Sequence, residues 1–101
     1  MSQPLPSTTV HGVLADTVAA AVLLAPGVAG LRSGRFGEVA TYLPGRRVLG
    51  VRLRPDGVAV DVAVLFGHSV FAVAEGVRAA VRDIVGDLPI DVTVDDVVLA
   101  P

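Results

Sequence analysis

The stretch Val48–Phe66, VLGVRLRPDGVAVDVAVLF, decides the fold. It divides at Pro55-Asp56-Gly57 into two runs of alternating character, Val48–Arg54 and Val58–Phe66. Alternate side chains of a strand point to opposite faces, so Leu49, Val51 and Leu53 share one face of the first run. Val58, Val60, Val62, Val64 and Phe66 share one face of the second. The pattern predicts a β-hairpin. Setting Leu53 opposite Val60 aligns both apolar rows and places Arg52 across from Asp61. A three-residue turn with a glycine bulge competes, and it sets Leu53 against Ala59. The first register is the expected one, because the second divides the apolar rows between two faces.

Downstream, Phe66-Gly67-His68-Ser69 turns the chain into a helix, with Ser69 as the N-cap whose oxygen accepts from the free amides of the first turn. Val70, Val73, Ala74, Val77, Val81 and Ile84 form its apolar stripe, Glu75, Arg78 and Arg82 face water, and Gly86 suits the C-terminal cap. Leu88–Val98 then alternates, with Ile90, Val92 and Val94 inward and Asp91, Thr93 and Asp95 outward. A strand that follows a helix is expected to lie parallel to the hairpin's second strand, through a right-handed crossover.

Upstream, residues 1–9 read as a loose arm holding Pro4 and Pro6, and residues 10–101 as one domain. Thr8 or Thr9 can cap a helix from about Val10 to Ala25, ended by Pro26-Gly27. The far side of this helix is hardly polar, which suggests that it is covered on more than one side. Val28–Arg32 is a short edge or first strand. Phe36, Val39, Ala40 and Leu43 recur at helical spacing, so residues 36–43 are expected as a short helix, although Thr41 and Tyr42 favour strand. The predicted order is α-β-short α-β-β-α-β. That is an α+β fold, with two main helices on one face of a small, mixed, mostly antiparallel sheet.

A chain of 101 residues makes one domain that buries roughly 60 to 70 % of its unfolded surface without staples. It has no cysteine, so disulfides, thiolate zinc and cysteine-held clusters are excluded, and with them a cluster-assembly scaffold of the usual kind. A reducing cytosol fits that composition. The apolar run Thr17–Ala25 is about half the roughly 20 residues a membrane span needs, and no Lys or Arg precedes Arg32. Neither a span nor a signal peptide is expected. Charge is polarised along the chain. Residues 31–54 carry Arg32, Arg35, Arg46, Arg47, Arg52 and Arg54 against Glu38 alone, whereas residues 55–101 carry eight acids against Arg78 and Arg82. The six arginines are the candidate interaction surface, and a basic patch beside an acidic one suits association between subunits.

No catalytic, cofactor or metal site is expected. His68-Ser69 are adjacent turn residues that seldom point at each other, and Ser69 is taken up as a cap. His11 stands alone. Asp91, Asp95 and Asp96 lack calcium-loop spacing, and strand alternation sends Asp95 and Asp96 to opposite sides. Gly34-Arg35-Phe36-Gly37 fits the G-x-x-G loop by which KH domains clamp a nucleic-acid backbone. A KH-like module gripping phosphates with Arg35, Arg46, Arg47, Arg52 and Arg54 is therefore the alternative reading. The net charge of −2 argues against nucleic acid as a partner.

Four features, spread over about residues 13–99, resemble the alkaline shock protein family of bacterial envelope stress-response proteins. They are the opening helix running into Ala25-Pro-Gly-Val-Ala-Gly-Leu31, the Val58–Val64 strand, Phe66-Gly67-His68-Ser69-Val70 with Val73-Ala74-Glu75, and the closing Ile90-Asp-Val-Thr-Val-Asp-Asp-Val97 strand. Residues 34–54 look like the short actinobacterial-type branch. The resemblance implies a non-enzymatic cytoplasmic protein that forms homo-oligomers. It also implies retention at the inner face of the membrane by a separate membrane-anchored partner. It supplies no catalytic residues and no cofactor.

Overall fold

A computed structural model describes residues 7–99. The elements are α1 (Ser7–Leu24), β1 (Val28–Leu31), β2 (Ala40–Leu43), β3 (Arg46–Leu49), β4 (Val51–Arg54), β5 (Gly57–Leu65), α2 (Val70–Val85) and β6 (Ile90–Val98). The fold is α+β, as expected. The expected arm lies outside the described residues as far as residue 6, and α1 already takes in residues 7–9. Thr8 and Thr9 are therefore inside the helix rather than capping it.

Everything is arranged around β5. Its nine residues are buried on both faces except Leu65. β4 pairs antiparallel with residues 57–60 and β1 antiparallel with residues 62–64, while β6 runs parallel along residues 58–65. A strand has two edges, so β1 and β4 lie end to end along one and β6 occupies the other. Val58, Val60, Val62 and Val64 face the helices and join Ala15, Val18 and Val22 of α1 and Val73, Val77 and Val81 of α2 in one core. Small β-branched side chains allow helices to pack close on a sheet without aromatic filler.

The hairpin forms in a register neither expected nor considered as the competitor. Leu53 pairs with Val58 and Val51 with Val60, around the two-residue turn Pro55-Asp56. The slip from the expected register is two residues, so the apolar row survives and only the partners change. Arg52 lies opposite Ala59, and the expected cross-strand pair with Asp61 does not form. Gly57 explains the shift. It is a strand residue, and a Cβ on it would come within 2.9 Å of the Pro89 carbonyl oxygen, which accepts from the Val58 amide. The glycine serves a close approach of the α2–β6 connection instead of the turn.

Two other expectations are corrected. The strand predicted over Val48–Arg54 breaks at Gly50, where φ is +80°. Parity reverses across the break: Val48 is buried and Leu49 is 38 % exposed, while Val51 is buried again. The short helix expected over residues 36–43 is absent. Ala40–Leu43 is a strand that folds back through Pro44-Gly45 onto β3, with Thr41 opposite Val48 and Tyr42 opposite Arg47. Of the helically spaced residues Ala40 is buried and Val39 and Leu43 half-buried, but Phe36 is 85 % exposed, and the strand preference of Thr41 and Tyr42 prevailed. The element order is thus α-β-β-β-β-β-α-β.

The second half matches expectation, save that Val70 of the expected stripe is 45 % exposed. Ser69 caps α2 by accepting from the Ala72 amide at 3.2 Å, and Gly86 ends it at φ +73°. Arg78, expected to face water, is half-buried and donates to the Ile90 carbonyl. β6 lies parallel to β5, returned by α2. Among the described residues no helix is long and apolar enough to cross a membrane.

Replacing Gly50 by alanine tests the break. A Cβ there would meet Leu31 Cβ at 2.7 Å in a backbone conformation that disfavours L side chains. Urea unfolding is expected to show a loss of about 2–4 kcal/mol, and a neutral substitution would contradict the kink.

Candidate functional site

The structure does not gather the six arginines into one patch. Arg46, on the α1 side of the β2–β3 hairpin, is held by Asp16 of α1 through two hydrogen bonds of 3.0 and 3.1 Å. Arg47 is on the opposite face of β3, beside Tyr42, and Arg35 is exposed in the loop after β1. Arg54 ends β4 next to the turn. Arg32 and Arg52 border the sheet face turned away from the helices, Arg32 reaching Asp96 and Arg52 the Glu38 carbonyl, beside a residue not anticipated as part of a site.

That residue is Asp61. It occupies the middle of β5 and is 2 % exposed, the one buried charged side chain among the described residues. Its neighbours along the strand on the same face are Ala59 and Ala63, which keep the floor of this face low. Asp61 Oδ1 has no hydrogen-bond partner. Burial foremost, then the charge of Asp95 and a hydrogen bond shared with it, push the Asp61 carboxyl up to about 6. The charge of Glu38 adds to the shift and Arg32 opposes it.

Asp95 shares the face of Asp61 by ordinary alternation from Thr93, which pairs with Asp61, and a β-bulge then brings Asp96 to the same face. β6 pairs in register with β5 up to Val94 opposite Val62, then Asp96 takes the place opposite Ala63 and leaves Asp95 as the extra residue. The bulge overturns the expectation that Asp95 and Asp96 leave on opposite sides, since Asp96 reaches Arg32 across this same face at 3.8 Å. The loop over residues 32–39 borders the cluster. The Arg32 amide donates to the Asp61 carbonyl, Arg52 donates to the Glu38 carbonyl at 3.3 Å, and the Glu38 side chain folds back to accept from the Phe36 amide at 2.8 Å. Hydrogen bonds from its own amide and from that of Phe36 hold Glu38 below the usual carboxylate range. The result is carboxylates from two segments, Glu38 of the loop and Asp95 and Asp96 of β6, with the Arg32 guanidinium beside a sunken acid that keeps its proton up to about pH 6.

The other sequence candidates are dispersed. His68 packs beside Gly27, where a Cβ would lie 2.8 Å from its Nδ1, and Ser69 is committed to its cap. The Gly34–Gly37 loop joins two strands rather than two helices, and one of its amides is already occupied by Glu38, an anion where a phosphate would have to bind. Among the described residues no three His, Cys, Asp or Glu side chains are grouped to hold a metal ion. Asp61 could have been noticed in the sequence as the single charge inside GVAVDVAVL, a run too apolar to be exposed on either face. Comparison of the chain with family models, with curated proteins and with solved structures finds no match.

The raised acidity constant fixes a pH dependence. The unfolded carboxyl titrates near its ordinary 3.8, so the folded state holds the proton more tightly between that value and about 6. Stability from this group is fully present below pH about 4 and is lost as pH rises through about 6, by up to about 3 kcal/mol. Asp61→Asn retains a hydrogen-bond donor for Asp95 without the charge. Its melting temperature is expected to exceed that of the parent at pH 8 and to converge with it at pH 4, as read by thermal melts across that range; equal melting temperatures at pH 8 would contradict the assignment.

Proposed function

We propose that this domain works by binding other proteins. Specifically, it is a self-assembling scaffold of the alkaline shock type, acting in the cytoplasm at the inner membrane face through a membrane-anchored partner. The family part of the proposal rests on the motifs in residues 13–99. The binding part is carried by one structural observation: large apolar side chains crowd the end of the molecule where three elements meet. Leu24 at the end of α1 and Leu99 after β6 are each 85 % exposed, and Phe66 and Phe71 around the β5–α2 turn are 70 % and 74 % exposed. Hydrogen bonds from Leu65 to Gly27 and from Phe66 to Val98 tie these elements together, so the apolar groups share one rigid end.

Leaving four such side chains in water is costly for a free monomer and typical of a surface that is covered in use. Beside them runs the outer edge of β6, nine residues long and without a strand partner among the described residues. Asp91, Asp95, Asp96 and the bulge discourage indiscriminate pairing along that edge, which favours selected partners over aggregation. Because the arginines lie on separate surfaces, the docking surface is assigned to the apolar end rather than to the basic segment. The nucleic-acid alternative loses support for the same reason, since no basic stripe forms.

Sedimentation velocity over a concentration series tests this. The mass is expected to rise with concentration and to persist as salt is raised, because apolar contacts are not screened. Phe66→Ser and Phe71→Ser, both at exposed positions, are expected to weaken association about tenfold or more with unchanged circular dichroism. A monomer at all concentrations, or association unaffected by both variants, would overturn the reading.

A further inference from the structure

At the opposite end of the helix pair, α1, α2 and the β4–β5 hairpin leave a cleft of about 290 Å³. α1 contributes His11 and Leu14, β4 contributes Leu53 and Arg54, α2 contributes Ile84 and Val85, and Val58 of β5 forms the floor. Leu14, Leu53, Ile84 and Val85 are each half-buried, packed against the core on one side and open to the cleft on the other. The lining divides cleanly by chemistry. Its body is aliphatic, and its two polar side chains are a guanidinium and an imidazole, with no carboxylate among them. Arg54 differs from Arg32, Arg46 and Arg78 in forming no ion pair among the described residues.

We propose that this cleft is a binding site for a small amphiphilic anion, an unbranched alkyl chain ending in a carboxylate. The tail would lie against Leu14, Leu53, Ile84 and Val85, and the head would meet Arg54, with His11 as a second hydrogen-bonding partner at the rim. Three features select this class. The volume is at the lower bound of ligand pockets, which suits a chain of about ten heavy atoms rather than a larger cofactor. The aliphatic walls supply the greater part of the affinity, as apolar burial does in most such sites. The Arg54 guanidinium beside them, in no ion pair among the described residues, is suited to an anion, and Arg presents a fork that matches a carboxylate. This site is separate from the apolar end assigned to protein contacts, and it stands or falls independently of that assignment.

The test is a titration of the full chain, followed by methyl and amide NMR at neutral pH, with octanoate as the probe. Octan-1-ol serves as the tail-only arm and acetate as the head-only arm. Octanoate is expected to saturate with a Kd on the order of 0.1–1 mM, shifting the methyl signals of Leu14, Leu53, Ile84 and Val85. Octan-1-ol is expected to bind the same methyls about tenfold more weakly, and acetate to leave them unmoved. Arg54→Ala, at an exposed position, should reduce octanoate to the level of the alcohol, and Arg54→Lys should restore part of the difference. Equal binding of acid and alcohol, shifts confined to other surfaces, or no saturation overturns the proposal. So does a shift of the same methyls with protein concentration alone, which would make a second copy the occupant.

Discussion

The constraint on which this molecule depends is the burial of one strand on both faces. β5 receives helices on its valine side and is flanked by strands along both edges, so its backbone amides and carbonyls are consumed by β1, β4 and β6. A central strand of this kind cannot slip without exposing its valine row and breaking three pairings together. The shape of the rest follows. Two short antiparallel strands share one edge, with the kink at Gly50 and the loop that leads to the β2–β3 hairpin placed between them, and a single long parallel strand takes the other.

The same burial accounts for the most unusual group in the protein. A strand covered on both sides has no solvated position for a charge, yet Asp61 lies at its centre. The surroundings adjust by chemistry, raising the carboxyl to about 6, and by geometry, with a bulge that turns Asp96 to the same face and within reach of Arg32. Alanine on either side of Asp61 keeps this face low, and Arg32 and Glu38 come near enough to act on its charge. Polar groups at such a position cost stability unless satisfied, and one of the two Asp61 oxygens is not. This face is accordingly where stability and pH are coupled.

Most of the architecture was legible in the order of residues wherever one physical rule acted without competition. Ser69 and Gly86 bounded α2, Val73, Val77 and Val81 marked its buried stripe, and the alternation of Ile90, Val92 and Val94 gave the final parallel strand. The misreadings fall where local pattern met a tertiary demand. Phe36, Val39, Ala40 and Leu43 have helical spacing, but Phe36 stays 85 % exposed, and hairpin pairing with β3 prevailed. Gly57 resembled turn chemistry and turned out to accommodate Pro89. The candidate site was the least legible part. Arginines close in sequence diverge once β2, β3 and β4 fold back on one another, and Asp96 joins Asp95 on the face of Asp61 only through a bulge that alternation does not announce.

Native-state hydrogen exchange is the most direct test of the central position of β5. If the doubly covered strand holds the molecule together, the amides of residues 58–64 exchange most slowly of all and only through global unfolding, with those of α1 and of the β2–β3 hairpin released earlier. Protection in α1 or in the β2–β3 hairpin that outlasts protection in β5 would contradict it.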